Sequence, residues 1–192
     1  LLDAFVRQCD VIVHLAALNR HHDPVQIFEV NTQLVEKLVA SLNRTGVTPQ
    51  VIISSSSQEE RGNPYGKSKK KGRELLAAWA EKSGASFAGM VIPNVFGPFG
   101  MPFYNSVVAK FCHQISRGEA PKIEVDGQLK LIFVGELVQE ILRAIRLGLS
   151  QPKWLLSSTA EAKVSEILEI LTGFKASYQD KGEIPPLATG FH

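Results

Sequence analysis

The sequence predicts an α/β protein built on a parallel sheet, and three observations carry that prediction. Val11-Ile12-Val13, Val51-Ile52-Ile53 and residues 87–92 are short apolar runs without polar alternation, as in strands covered on both faces. Between them, residues 24–43 and 64–82 place apolar side chains at helical spacing. Strand, helix, strand, helix, strand in this order is the pattern of parallel crossovers.

Each element carries its own signals. Residues 1–6 read as the end of a helix, and the first strand follows Cys9-Asp10. Asp23-Pro24 supplies an N-cap and a first-turn proline for the first long helix. Ile27, Leu34, Val35, Leu38 and Leu42 form its apolar face, and Gly46 closes it. The second strand runs into Ser54-Ser55-Ser56-Ser57, and residues 58–63 read as a polar loop. Pro64 opens the second helix, with Leu75, Leu76 and Trp79 inward and Gly84 at its end.

Beyond the third strand, which Pro93-Asn94 ends, the texture becomes richer in turns. The pattern predicts a helix over 103–117 with Phe111, Cys112 and Ile115 inward. Strands at 122–125 and 129–134 are expected around an Asp126-Gly127 hairpin turn. A helix over 136–147, a strand over 154–157 and a helix over 165–171 follow. The segment 173–192, with Pro185-Pro186, reads as a loose tail or linker. The expected organisation is thus 1–98, 99–172 and 173–192, with some segments of the second part returning to the first.

Composition excludes several classes of function. The 192 residues are 44% hydrophobic and 21% charged, as in an ordinary globular protein. A formal net charge of +2 does not favour nucleic acid as a partner. No apolar run approaches the ~20 residues of a membrane span, and no signal peptide is visible. Two cysteines, Cys9 and Cys112, form no disulfide framework, so a cytoplasmic setting is expected. Lys67, Lys69, Lys70, Lys71 and Arg73 read as a solvated helix face with one lysine turned inward. The adjacent His21 and His22, beside Asp23, read as solvated residues of a helix-entry loop, His113 lacks the partners of a site, and no metal is expected.

The chemistry concentrates at the predicted carboxyl ends of the strands, where ligands of such sheets bind. Ala16-Ala17, the serines from Ser54 and Pro93-Asn94 all fall there. Tyr65 precedes Lys69 by one helical turn, so phenol and ammonium share a face. A phenol ionises near pH 10, and a neighbouring cation favours the phenolate. That pairing suits a tyrosine acid/base acting on a hydroxyl–carbonyl interconversion. Asn31, on the first helix, is placed to support a polar relay.

These segments together resemble the extended short-chain dehydrogenase/reductase family of nucleotide-sugar epimerases, dehydratases and reductases. Asp10-Val-Ile-Val-His14-Leu-Ala-Ala17 resembles its fourth strand and cofactor loop, and Asn31 its helix asparagine. Ser54-Ser55-Ser56 resembles its catalytic strand end, Pro64-Tyr65-Gly66-Lys67-Ser68-Lys69 its tyrosine–lysine motif, and residues 93–98 its nicotinamide loop. The resemblance covers residues 1–172. It implies a Rossmann-like sheet lacking its first strands, with a small C-terminal α+β substrate-binding portion.

The resemblance also implies roles. Ser56, Tyr65, Lys69 and Asn31 would be catalytic. Leu15, Ala16, Ala17, Ser54, Tyr65, Lys69, Pro93 and Val95 would line the cofactor, and Asn94, Asn105 and Ser56 would contact substrate. Within the family, residues 63–66, 93–97 and 104–109 resemble capsule and O-antigen enzymes that reduce a 4-keto UDP-N-acetyl amino sugar. An NADPH (or NAD) cofactor, a UDP-sugar substrate and a homodimer through helices 24–43 and 64–82 are implied. A following cupin-type domain belongs to that group as well. No Gly-x-Gly-x-x-Gly occurs, so the phosphate-binding loop is expected upstream of Leu1. Two alternatives stay open: a 4-epimerase or 4,6-dehydratase with tightly bound NAD, and a non-catalytic sugar-nucleotide-binding module.

Overall fold

The computed structural model of the chain describes residues 1–185 and 190–191. The first elements are α1 (Leu2–Val6), β1 (Val11–His14), α2 (Pro24–Thr45), β2 (Gln50–Ser56), α3 (Pro64–Ser83) and β3 (Phe87–Ile92). There follow β4 (Asn94–Phe96), α4 (Val107–Ser116), β5 (Gln128–Phe133), α5 (Val134–Leu147), β6 (Gln151–Leu155), β7 (Ala160–Lys163) and α6 (Val164–Phe174). The chain divides into two compact units, Leu1–Ile92 with Gln139–Leu156, and Pro93–Val138 with Ser157–His192. The division after Ile92 precedes the expected one at 98, and residues 139–156 return to the first unit.

The first unit is the expected α/β core. Its sheet has the order β1-β2-β3-β6, parallel throughout. Ile12 lies opposite Val51, Val51 opposite Phe87, and Met90 opposite Trp154. Val35, Leu38 and Leu42 of α2 pack with Leu76 and Trp79 of α3 on Val51, Ile53 and Phe87. Each of these side chains is under a tenth exposed, so their burial supplies most of the unit's driving force.

The helix signals read from the sequence at Asp23, Gly46, Pro64 and Gly84 set the helix limits, and the structure adds an Asn63 cap. Asp23 accepts a hydrogen bond from Val25 N at 2.9 Å, and Gly46 ends α2 at φ 68°. Asn63 caps α3 through Gly66 N at 2.7 Å, and Gly84 ends it at φ 73°. The serines, expected beyond the second strand, continue it to Ser56. The loop expected at 58–63 begins instead as a 3-10 turn over Ser57–Glu60.

The second unit departs further from expectation. Its sheet has the order β4-β5-β7, with β4 parallel and β7 antiparallel to β5. No strand forms over 122–125, so the expected hairpin is absent. Both edges of β5 are taken by β4 and β7, and Ile123 and Val125 stay exposed. Asp126 and Gly127 meet the start of α6 instead, accepting from Ser165 N and Val164 N.

The helix expected from 103 begins only at Val107, where Ser106 caps it through Ala109 N. Phe103 has φ 58°, outside the helical region. Cys112, expected inward, is exposed. Residues expected in the loose tail are structured further than predicted: α6 runs to Phe174 and a wider turn continues over Lys175–Asp180. The rest of that tail includes 186–189 and 192, which lie outside the described residues. Phe111, Ile115, Leu131, Ala162, Val164 and Ile167 form this unit's core.

Candidate active site

The site is built where β2 hands over to α3. Ser54 and Ser56 lie on one face of β2 and Ser55 on the other, by the alternation of a strand. Pro64 sets the first turn of α3, which carries Tyr65, and Lys69 follows one turn later. Gly66 makes this approach possible. A Cβ there would stand 2.0 Å from the carbonyl oxygen of Gln58, so the helix start rests directly on the 3-10 turn.

Lys69 is the charged centre of the arrangement. It is 5% exposed, while Lys67, Lys70 and Lys71 are solvated, so one lysine of the run does turn inward. Its ammonium donates to Ser54 Oγ at 3.3 Å, and Ser54 in turn donates to the backbone carbonyl of His14 at 3.4 Å. Burial pulls the Lys69 pKa from 10.5 down to about 8, with the Glu59 carboxylate working in the opposite direction. Ser54 takes one of its three N–H donors.

His14 lies beside this group. Desolvation, and then the nearby Lys69 charge, lower its pKa, favouring neutral imidazole. Its Nδ1 is buried without a hydrogen-bond partner among the described residues. Such unspent polar capacity at a strand end fits a polar ligand better than a closed core.

Ser56 accepts a hydrogen bond from Gln58 N at 3.2 Å, which caps the 3-10 turn. Because its oxygen accepts there, its hydroxyl proton remains available to a substrate oxygen. Tyr65 is half-buried at the start of α3.

Asn31 is 5% exposed and clamps two segments together. Its side chain accepts from Leu18 N at 2.6 Å and donates to Leu18 O at 3.0 Å, fixing the loop after β1. It also donates to Ser68 Oγ at 3.0 Å, and Ser68 donates to the Tyr65 carbonyl at 2.8 Å. Leu15 and Ala16 are exposed and Ala17 half-buried in the same loop.

Pro93, Asn94, Val95 and Asn105 belong to the second unit. There Pro93 is buried, while Asn94 is exposed and donates to Lys130 O at 3.0 Å. Val95 and Asn105 are exposed.

Sequence reasoning missed an ion pair behind the site. Arg73, grouped with the solvated lysines, is buried and donates through Nε and Nη2 to Glu59, both at 2.8 Å. Glu59 also accepts from the Ser55 hydroxyl. Arg73 lies one turn beyond Lys69, which is the one signal that could have placed it inward.

A parallel sheet whose serine-bearing strand end meets a tyrosine–lysine helix defines a short-chain dehydrogenase/reductase of the extended type. The chain belongs to the NAD dependent epimerase/dehydratase family, whose profile matches residues 1–154. It is 31% identical over 178 residues to the UDP-2-acetamido-2,6-beta-L-arabino-hexul-4-ose reductase of Pseudomonas aeruginosa, covering 92% of this chain and 48% of that protein. It is similar to the capsular polysaccharide assembling protein CapF of Staphylococcus aureus, with a TM-score of 0.76 and 30% identity over 94% of this chain and 48% of that one. The UDP-glucose 4-epimerase of Thermotoga maritima shares the fold at a TM-score of 0.80 and 19% identity, covering 97% of this chain and 68% of that one. The chain thus spans about half the length of the curated relative it matches.

Proposed function

We propose that the protein is a reductase acting on the C4 ketone of a UDP-linked 2-acetamido-2,6-dideoxy hexulose, with NADPH as cofactor, in bacterial surface polysaccharide synthesis of the N-acetyl-L-fucosamine type. The observation that carries this reading is Lys69, a buried ammonium held by Ser54 one helical turn from Tyr65. The likeness to the Pseudomonas reductase supports the substrate class. A bound nicotinamide cofactor supplies hydride; Lys69 and Tyr65 would hold its ribose, and residues 15–17, Pro93 and Val95 would line it.

The rest is the work of this chain. Ser56 donates a hydrogen bond to the ketone oxygen and orients it. Tyr65 gives its phenolic proton to the oxygen as negative charge develops there. The Lys69 charge lowers the cost of the phenolate left behind. Asn31 holds the loop after β1 against the first turns of α3 and supports the polar relay. Asn94 and Asn105 are assigned to the sugar nucleotide. The outer face of α2, where Val25 and Phe28 are exposed, and that of α3 are the proposed homodimer surface.

In Tyr65→Phe, turnover of the keto sugar should fall by about 10²–10⁴-fold while NADPH affinity stays within a few-fold. Undiminished turnover would overturn the assignment. The family description also admits epimerases and dehydratases. Stoichiometric consumption of added NADPH marks the reductase; isomerisation or dehydration without net consumption marks the other reading.

A further inference from the structure

The charged groups nearest the site include one that the proposed chemistry leaves unused. Glu59 is 5% exposed in the 3-10 turn between β2 and α3, in a chain where most carboxylates are solvated. Three attachments define it. The Ser55 hydroxyl donates to it from the face of β2 opposite Ser54 and Ser56. Arg73 donates to both of its oxygens at 2.8 Å, forming a two-pronged pair. Arg73 then extends Nη1 to the carbonyl of Pro152 on β6 at 3.2 Å.

The path of Arg73 is built into the sheet. A Cβ on Gly89 of β3 would stand 2.6 Å from the Arg73 side chain and 2.4 Å from Pro152 O. Glycine at this position leaves room for the guanidinium arm to cross β3. One carboxylate therefore ties together the strand carrying Ser54 and Ser56, the helix carrying Tyr65 and Lys69, and a third strand.

Stability alone is a weak reason for such a pair. Desolvating two charges offsets their attraction, and an apolar pair of similar volume is often as stable or more so. What an apolar pair cannot reproduce is the directional bond to Ser55, or a negative charge placed near Lys69. Lys69 is faced by His14 from β1, by Ser54 from β2, by Glu59 from the 3-10 turn, and shares α3 with Tyr65 and Arg73. Glu59 is the group that works against the loss of its proton.

We propose that Glu59 is a positioning residue for the reaction centre: by holding Ser55 of β2 against Arg73 of α3 it fixes the strand that carries Ser56 relative to the helix that carries Lys69. The role in turnover rests on the reductase reading above; the placing of Lys69 does not.

Two readouts test it in the intact protein. The first is the rate at which acetic anhydride acylates Lys69, normalised to solvated Lys67 and Lys70 and read by peptide mass spectrometry. The second is kcat and KM for the keto sugar with NADPH. Glu59→Gln should raise the normalised Lys69 rate several-fold, because the amine becomes both looser and more often neutral. It should lower kcat at least ~10-fold with KM within about twofold. Since Glu59→Gln leaves a buried guanidinium half-paired and can fail to fold, the double variant Glu59→Leu, Arg73→Met provides a volume-filling neutral pair.

The folded double variant should keep the raised Lys69 rate and the lowered kcat. A folded double variant with the native Lys69 rate and native kcat would show the pair to be structural only and overturn the proposal. Native behaviour of a folded Glu59→Gln would do the same. If the unsubstituted protein does not turn over the keto sugar, the reductase reading falls, and the Lys69 rate still decides the placement.

Discussion

Two carboxylates in this chain each bind a serine at the junction of a strand and a helix, one buried and paired with an arginine, the other exposed. Glu59 joins β2 to α3 through Ser55 and Arg73, with side-chain exposures of 1% for Glu59 and 8% for Arg73. Asp126 precedes β5 and meets α6, accepting from Ser165 N and Ser165 Oγ, both at 2.8 Å, and it is solvent-exposed. Glu59 is held by a guanidinium and a serine hydroxyl in low dielectric, Asp126 by a serine N–H and hydroxyl at the surface. In low dielectric each polar partner becomes indispensable to the others, because an abandoned charge cannot turn to water. At the surface water stands ready to replace either partner.

The opposing influences on Glu59 follow from this. Burial pushes its carboxyl up, yet the hydrogen bonds from Arg73 and Ser55 outweigh it, and the net pKa lies below the ordinary value. Breaking the pair from the other side should therefore give the largest stability effect in the chain. Arg73→Met leaves a buried carboxylate without its cation and should cost about 3–5 kcal/mol in denaturant unfolding. Adding Glu59→Leu should recover most of that loss. A single variant within about 1 kcal/mol of the unsubstituted protein would mean the pair is not sealed from water.

Lys69 offers the second test, with the opposite sign. Its folded-state pKa, about 8, lies below the unfolded value of 10.5, so the fold disfavours its charged form. Between those values the unfolded chain binds a proton that the native state has released, and stability rises with pH. Lys69→Met should accordingly be more stable than the unsubstituted protein by up to about 3 kcal/mol below pH 8. The advantage should shrink through that interval and vanish above pH 10.5. Urea midpoints of both proteins between pH 7 and 11 measure it; a pH-independent difference would mean packing, not charge, dominates. A reactive amine kept in a site at a cost in stability is the usual mark of a functional group.

The same contrast explains what could be read from the sequence. Local signals were legible: Asp23, Pro64, Gly46 and Gly84 mark helix limits, and unbroken apolar runs mark β1, β2 and β3. The inward turn of Lys69 was legible because helical spacing places it with Tyr65. Glu59 was not, since residues 58–63 have no periodicity and its burial depends on Arg73 and on the missing Cβ of Gly89. Arg73 was masked by the lysines preceding it. Asn31 was singled out for its place on the helix, but its clamp on Leu18 was hidden, because the loop after β1 carries no signal of where it folds back. In the second unit Asp126-Gly127 has the local form of a hairpin turn. The outcome was decided by competition for the edges of β5, which no window around residue 126 contains.

Asp126 supplies the smallest effect and the sharpest check on the role of burial. Hydrogen bonds from Ser165, first the backbone N–H and then the hydroxyl, hold its carboxyl below the ordinary value. An acid with a lowered folded-state pKa adds stability above its unfolded value and loses it as pH falls through the folded one. Because the group is exposed, screening by water and salt leaves little of this in the net balance. Asp126→Asn removes the charge and keeps one acceptor oxygen for the Ser165 N–H, with the amide NH2 turned to donate to the Ser165 hydroxyl oxygen instead of accepting from it. It should shift the thermal midpoint far less than Arg73→Met does, and the shift should shrink further in 1 M salt. A loss comparable to that of Arg73→Met, persisting in high salt, would mean that the contact geometry and not the surrounding dielectric sets the strength of both junctions.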